Sequence, residues 1–337
     1  MPHNQNKYII MKTNIKFLLV ALVAFSAFSI TSCGDDDPAP TPTPAPQTIV
    51  QIAQGNAELS TLVTALELTG LDEVLSGSGQ FTVFAPTNAA FTTFLPQGVD
   101  VEDVPVDVLT NILLNHVIST KLTAAQLTTG YRKTLAIPAA TAPSGNMDIY
   151  VNNSASGVFL NGGGKVTAAD INASNGVVHV VNKVIALPTI VTFVGADPNF
   201  SSLLAALTRT DQLDEGFTTT LSGTASSPFT VFAPTNDAFA NLLAFLGPGT
   251  TLANIPEQTL TNALKYHVVA GENFLSTDLM NNMQVSTILG QSFTIKISPT
   301  DGAQIEDANL RIADIKVVNV QADNGVVHVI DKVLLPL

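Results

Sequence analysis

The chain has 337 residues, of which 46% are hydrophobic and 12% charged, with a formal net charge of -13. That describes a globular protein whose surface is poor in charge. The acidic balance, with no Lys/Arg cluster, argues against binding to nucleic acid, and the lone Cys33 excludes a disulfide within the chain.

In chain order, Lys12 and Lys16 precede a fourteen-residue apolar-rich run from Phe17 to Ile30. A membrane span needs about 20 residues, so this run reads as the hydrophobic core of a secretory signal. Met11 is as good a start as Met1, because the six residues from Met11 to Lys16 already form a compact basic lead-in. The tail Ile30-Thr31-Ser32-Cys33 resembles a bacterial lipobox. That resemblance implies that residues 1–32 are removed and that Cys33 is acylated; two or more acyl chains would hold the protein stably on a membrane. Removal of the leader leaves 11 basic against 27 acidic residues, a net charge of -16.

Residues 33–47 form a tether. Asp35-Asp36-Asp37 resembles the export signal that sends certain bacterial lipoproteins to the outer face of the outer membrane; a hydrated spacer is the plainer alternative. The triplet lacks the alternating ligands and turn glycine of a calcium loop. From Pro38 to Pro46 prolines alternate with Ala and Thr, which favours a polyproline II stalk of roughly 30 Å.

Beyond the tether the chain repeats itself. Phe81-Thr-Val-Phe-Ala-Pro-Thr-Asn-Ala-Ala-Phe91 returns 148 residues later as Phe229 to Phe239, with ten of eleven positions identical. Asn175-Gly-Val-Val-His-Val180 returns as Asn324 to Val329. Solenoid units run to about 20–50 residues, so a period this long means one fold made twice. The spacing predicts one domain over 48–188 and a second over 189–337, abutting at Pro188-Thr189-Ile190.

Each unit is expected to open with an amphipathic helix, Leu59/Leu62/Val63/Leu66 or Phe200/Leu203/Leu204/Leu207. Asp197 before Pro198 reads as a helix N-cap. The second copy has seven extra residues before its repeated strand, expected as a surface loop within Thr218 to Pro228. In the shared segment, Phe81–Ala85 reads as a strand and Pro86 as its stop. Thr87 or Asn88 then caps a helix anchored by Phe91, and Pro234, Thr235, Asn236 and Phe239 repeat the arrangement. A second helix follows in each unit, with His116 or His267 on its apolar stripe. The Asn175-Gly176 and Asn324-Gly325 pairs mark turns into a last strand, Val177–Ile185 or Val326–Leu334, covered on both faces.

These two boxes, present in order in both units, resemble the signature boxes of the fasciclin (FAS1) domain family. The resemblance implies an α+β fold: two tandem FAS1-like domains, each a β-wedge or sandwich packed against several N-terminal helices. It also implies a secreted or membrane-anchored protein that serves adhesion or extracellular binding rather than catalysis. In the family the residue before the helix histidine is often Tyr, and that pair is implicated in receptor adhesion in some animal members. Tyr266-His267 keeps the pair, whereas the first unit has Asn115-His116; these four are the candidate ligand contacts. Tyr266 lies about 100° around the helix from its neighbour, and partial exposure is expected.

The remaining chemistry is thin. A catalytic reading would make His116 with His179, and His267 with His328, two-histidine sites. Their apolar neighbours favour buried structural hydrogen bonds. Ser76-Gly-Ser-Gly79 lacks the spacing of a nucleophile elbow. Gly162-Gly-Gly-Lys165 departs from a phosphate loop at both ends and reads as a tight turn. The acidic pairs Asp72-Glu73 and Asp214-Glu215 read as solvated charge near helix ends. No cofactor or metal site is expected. The reading that results is a lipid-anchored outer-membrane protein, facing the cell surface, that binds an extracellular protein or glycan. The alternative is a glycan-binding component of a surface nutrient-uptake system, which the absence of Trp and the three Tyr after the leader disfavour.

Overall fold

A computed structural model of the chain describes residues 45–139 and 145–337, and gives the backbone alone at 213–215. The leader, Cys33, the acidic triplet and most of the proline stalk lie outside the described residues. The first domain runs α1 Ile49–Gln54, α2 Ser60–Thr69, α3 Leu71–Ser76, β1 Phe81–Pro86, α4 Asn88–Phe94, α5 Val106–Leu114 and β2 Val117–Ile118. It continues with β3 Gly130–Lys133, β4 Asp148–Ser154, β5 Gly157–Leu160, β6 Gly164–Ala173 and β7 Gly176–Val181. The second domain repeats this order as α6 Ile190–Ala196, α7 Ser201–Leu207, α8 Phe217–Ser222, β8 Phe229–Pro234, α9 Asn236–Leu246 and α10 Glu257–Tyr266. Its remaining strands are β9 Val268–Ala270, β10 Gln284–Ser286, β11 Ser292–Ser298, β12 Gly302–Glu306, β13 Ile312–Ala322 and β14 Gly325–Ile330.

Each domain has one seven-stranded sheet, ordered β2-β1-β7-β6-β5-β4-β3 and β9-β8-β14-β13-β12-β11-β10. The repeated strand and the last strand pair in parallel, Phe81 opposite Gly176 and Phe229 opposite Gly325, while the other pairs are antiparallel. All residues of β7 and β14 are buried, because a core lies on either face. The helices cover Val83, Ala85, Val178 and Val180, and the folded-over sheet covers Phe84, Ile149, Val151 and Val181. The expected central strands are therefore present, though they end at Val181 and Ile330, short of Ile185 and Leu334.

Every polar group of the repeated segment has a mechanical task. Thr82 Oγ1 donates to Thr120 O at 2.6 Å and accepts from Leu122 N at 2.8 Å. Thr230 does the same with Glu272 O and Phe274 N. Thr87 and Thr235 are the N-caps, accepting from Ala90 N and Ala238 N. Asn88 and Asn236 do not cap. They reach sideways to tie the start of α4 to the head of α2, and of α9 to the head of α7, through Thr61 N and Ala57 O, or Ser202 N and Pro198 O.

The Asn-Gly pairs do more than turn the chain. Asn175 is buried; its Oδ1 accepts from Ile49 N and its Nδ2 donates to Leu75 O and Gly77 O. Asn324 repeats this with Ile190 N, Leu221 O and Gly223 O. One side chain thus closes the N-terminus of the first helix and the C-terminus of the third. Gly176 and Gly325 follow because β1 and β8 approach there; a Cβ would lie 2.1 Å from Phe81 O or 2.2 Å from Phe229 O.

Three expectations are corrected. Each domain opens one helix earlier than expected, with α1 and α6. Those short β-branched runs do not show helical periodicity, but Thr48 with Gln51 and Thr189 with Thr192 form capping boxes. Ile190 is consequently buried in a helix, and the domain connection has no free linker. The insertion lies mostly upstream of Thr218: the offset between copies has already grown from 141 to 146 at the left-handed Gly70 and Gly216, through the 3-10 turn Thr210–Glu215. Asp197 caps the turn at Pro198 as expected, accepting from Asn199 N.

Replacing Asn175 or Asn324 by Ala leaves one donor and one acceptor buried without partners and a third, more exposed carbonyl unpaired, and each change is predicted to cost about 3 kcal/mol. Urea denaturation of the single variants checks this; a loss below about 1 kcal/mol contradicts the role assigned to the amide.

Candidate functional site

The four histidines after the leader occupy two kinds of position, each made twice. His116 and His267 close the second long helix and are buried. Nδ1 of His116 donates to Ile112 O at 2.8 Å, and Nε2 accepts from Ile185 N at 2.8 Å. His267 binds Ala263 O at 2.6 Å and Leu334 N at 2.9 Å in the same way. A backbone N–H facing Nε2 requires a neutral ring with its proton on Nδ1. Burial pushes both rings down to about 4, against the raising effect of their helix carbonyls. His179 and His328 stack on Phe84 and Phe232, and Nε2 donates to Leu122 O or Phe274 O. Burial lowers these two as well. In neither domain do the two histidines share a hydrogen bond, and every ring is engaged within its own domain.

The candidate contacts before the helix histidines also lie inside. Asn115 is buried and donates to Ile185 O and Ala186 O at 3.1 and 3.0 Å. Tyr266, expected to be partly exposed, is 0% exposed. Its hydroxyl donates to Ser292 O and accepts from Ala308 N, and its ring meets Phe293 edge-on. The helical wheel placed Tyr266 away from His267 correctly, but that side of α10 is roofed by β11 and the segment after β12. Amide and phenol thus serve as alternative struts at one interior position.

The weaker motifs resolve simply. Gly162-Gly163 turns β5 into β6, with Asn161 and Gly162 at φ 47° and 71°. Asp72 and Glu73 sit in the first turn of α3, where the helix dipole favours them. The side chains of Asp214 and Glu215 lie outside the described residues. Among the described residues, no three His, Cys, Asp or Glu side chains gather closely enough to hold a metal ion.

What remains is surface. In the second domain an apolar groove of about 330 Å³ is lined by Phe239, Leu242, Leu260, Ala263 and Leu335, with His267 at its edge. The stripe of α10 has Ala263 where α5 has Ile112, and the smaller side chain leaves room there. In the first domain an open cleft of about 800 Å³ runs between α2, α4 and residues 95–103, lined by Thr61, Thr64, Thr92, Asp100, Glu102 and Asp103. No Lys or Arg occurs from residue 48 to residue 120, so this helical layer has a single sign of charge. Sequence reasoning missed both hollows; the Ile112/Ala263 mismatch between copies was the available signal for the groove.

With this geometry in hand, a sequence profile of the fasciclin domain matches residues 57–188 and 198–336. The protein sll1483 of Synechocystis sp. is 43% identical over 145 residues, covering 42% of this chain and 74% of that protein. Human periostin is 30% identical over 275 residues, which are 79% of this chain and 29% of periostin. The pig transforming growth factor-beta-induced protein ig-h3 is 27% identical over 268 residues, 78% of this chain and 35% of its own length. The chain thus spans about a third of those two animal proteins. Among solved structures, the FAS1 domain pair from the insect cell adhesion molecule Fasciclin I superposes with a TM-score of 0.51 at 21% identity. It covers 83% of this chain and 98% of that one, and supports the fold alone.

The depressed histidines predict a pH dependence. Between about 4 and the ordinary 6.5, the unfolded chain binds protons at His116 and His267 that the folded chain refuses. Their contribution to stability is therefore complete above pH 6.5 and lost as pH falls toward 4, by about 3 kcal/mol for each ring. Urea midpoints measured from pH 7 to pH 4 are expected to fall over that window; a flat profile contradicts the assignment.

Proposed function

The chain belongs to the fasciclin domain family, and from that premise we propose that it is a lipid-anchored cell-surface protein that binds extracellular partners and promotes adhesion. The observation that supports a binding role over catalysis is the internal, structural use of most of the repeated polar residues. The helix histidines, the Thr-Asn pairs and the Asn-Gly amides all hold helices to strands in both domains. A hydrolytic site needs a nucleophile, a base and access for substrate; here the candidate bases are enclosed and already hydrogen-bonded. Function then falls to the outer surfaces, among them the acidic cleft of the first domain and the apolar groove of the second. Acyl chains on Cys33 and the proline stalk would hold those surfaces away from the membrane, and many copies on one cell would turn weak contacts into avidity.

The tyrosines bear on the glycan alternative. Tyr150 and Tyr266 are buried and offer no ring face on which a sugar could stack, and the half-buried Tyr131 is engaged with Tyr150 and Phe193.

Three measurements test the proposal. Cells lacking the gene are expected to adhere several-fold less to matrix or to one another, and protease treatment of intact cells is expected to remove the protein. Replacing Cys33 by Ser should move the protein from the membrane fraction to the soluble fraction while leaving it folded. Adhesion unchanged by deletion, or a Cys33→Ser protein still held on membranes, contradicts the corresponding half of the proposal.

A further inference from the structure

Strands β3 and β4 at the edge of the first sheet face the second domain, and they hold side chains unlike those of the equivalent strands in the other copy. Tyr131 pairs across the ladder with Tyr150, and Lys133 with Asp148. Both tyrosines donate to one buried carboxylate of the second domain: Tyr131 to Asp197 Oδ2 at 3.0 Å, and Tyr150 to Asp197 Oδ1 at 3.2 Å. The Tyr131 ring meets Phe193 of α6 edge-on at 5.4 Å, and Tyr150 packs into the second domain's core. Beside them, Asp148 is also buried. Its Oδ2 accepts from Lys133 Nζ and from the backbone N–H of Gln321 on β13, each at 2.7 Å. Lys133 Nζ reaches on to Asn319 O at 3.1 Å. At the rim, Asp323 accepts from Ala139 N and donates its own N–H to Pro188 O.

In the second domain the corresponding cross-strand pairs are Gln284 with Thr294 and Ser286 with Ser292. The correspondence follows from Thr134 N bonding Met147 O just as Thr287 N bonds Gln291 O. These small polar side chains bond to one another, Gln284 Nε2 to Thr294 Oγ1 at 2.7 Å and Ser286 Oγ with Ser292 Oγ at 3.1 Å. The receiving side differs between copies too. Asp197 caps the second domain's 3-10 turn where Asn56 caps the first domain's. An amide offers a single oxygen, whereas the carboxylate offers two and so serves Asn199 N and two phenols at once. The groups that join the domains thus sit on one edge of one copy and on one seat of the other, although both copies share the same strands.

We propose that Tyr131, Tyr150, Lys133 and Asp148 form a latch that closes on Asp197 and the Gln321 backbone and makes the two domains one rigid body. The binding surfaces of the pair are then held at a fixed spacing and orientation. This does not depend on which partner those surfaces take. Burial and the Asp197 charge keep both phenols protonated as donors, so the latch stays closed through the neutral and mildly alkaline range. The tilted Tyr131–Tyr150 pair and the edge-on contact of Tyr131 with Phe193 add aromatic packing across the junction to these hydrogen bonds.

The test uses the purified chain with Tyr131→Phe/Tyr150→Phe, which keeps both rings and removes both donors. The unsubstituted chain is expected to melt in one calorimetric transition. The double variant should melt in two transitions separated by about 5 °C, with a larger maximum dimension in small-angle X-ray scattering. Gln284→Ala/Thr294→Ala, at the matching place in the second domain, should leave one transition and unchanged scattering. If the double variant folds poorly, Tyr131→Phe alone, at the half-buried ring, should show the scattering change in smaller degree. A single transition with unchanged scattering for the tyrosine variants overturns the proposal. So does an equal effect of the Gln284/Thr294 pair.

Discussion

Each domain depends on one buried amide. The helices of each domain all precede its last strand in sequence, so that strand must be tied to the first and third helices through space. Asn175 and Asn324 do this at the point where the last strand begins, where the first helix starts and the third helix ends. An unpaired backbone group in an apolar interior is costly. The amide satisfies two such groups and a third, more exposed carbonyl with one side chain, and no apolar residue of the same size could. The glycine that follows lets the repeated strand come close enough to complete the parallel pair.

The same economy explains the rest of the shared residues. A helix histidine with a carbonyl on one nitrogen and an N–H on the other joins the last turn of a helix to the segment after the last strand. A threonine in the repeated strand holds the loop that follows the second strand. Two copies needing one fold retain one set of buried hydrogen bonds, and this makes the signature look like a site. Divergence between the copies is the better guide to function. Ile112 against Ala263, Tyr131 against Gln284 and Asn56 against Asp197 mark, respectively, a groove and the two halves of a junction.

Much of this was legible in the sequence where the determining interactions are local. The strand, the proline stop and the threonine cap follow one another within a few residues, and the structure has them in that order. Duplication showed the fold to be made twice. Features set by distant partners were not legible. Tyr266 was misjudged because helix geometry places a side chain relative to its own axis and says nothing of what roofs it. The first helices were missed because Ile49–Gln54 and Ile190–Ala196 are short and β-branched, and only their capping boxes reveal them. The insertion was misplaced because Ser/Thr/Gly content marks a loop, whereas the added residues form a 3-10 turn. The Asp197 cap was foreseen, but its second task was invisible, since its phenol partners lie 66 and 47 residues away.

The central claim is that the repeated histidines are neutral structural members rather than reactive groups. Long-range nitrogen-15 NMR of the imidazole rings at pH 7 tests it most directly, because it reports which nitrogen holds the proton. The account predicts the Nδ1–H tautomer for His116 and His267 and the Nε2–H tautomer for His179 and His328. Rings in averaged tautomers, or protonated at that pH, would show them open to solvent and would contradict it.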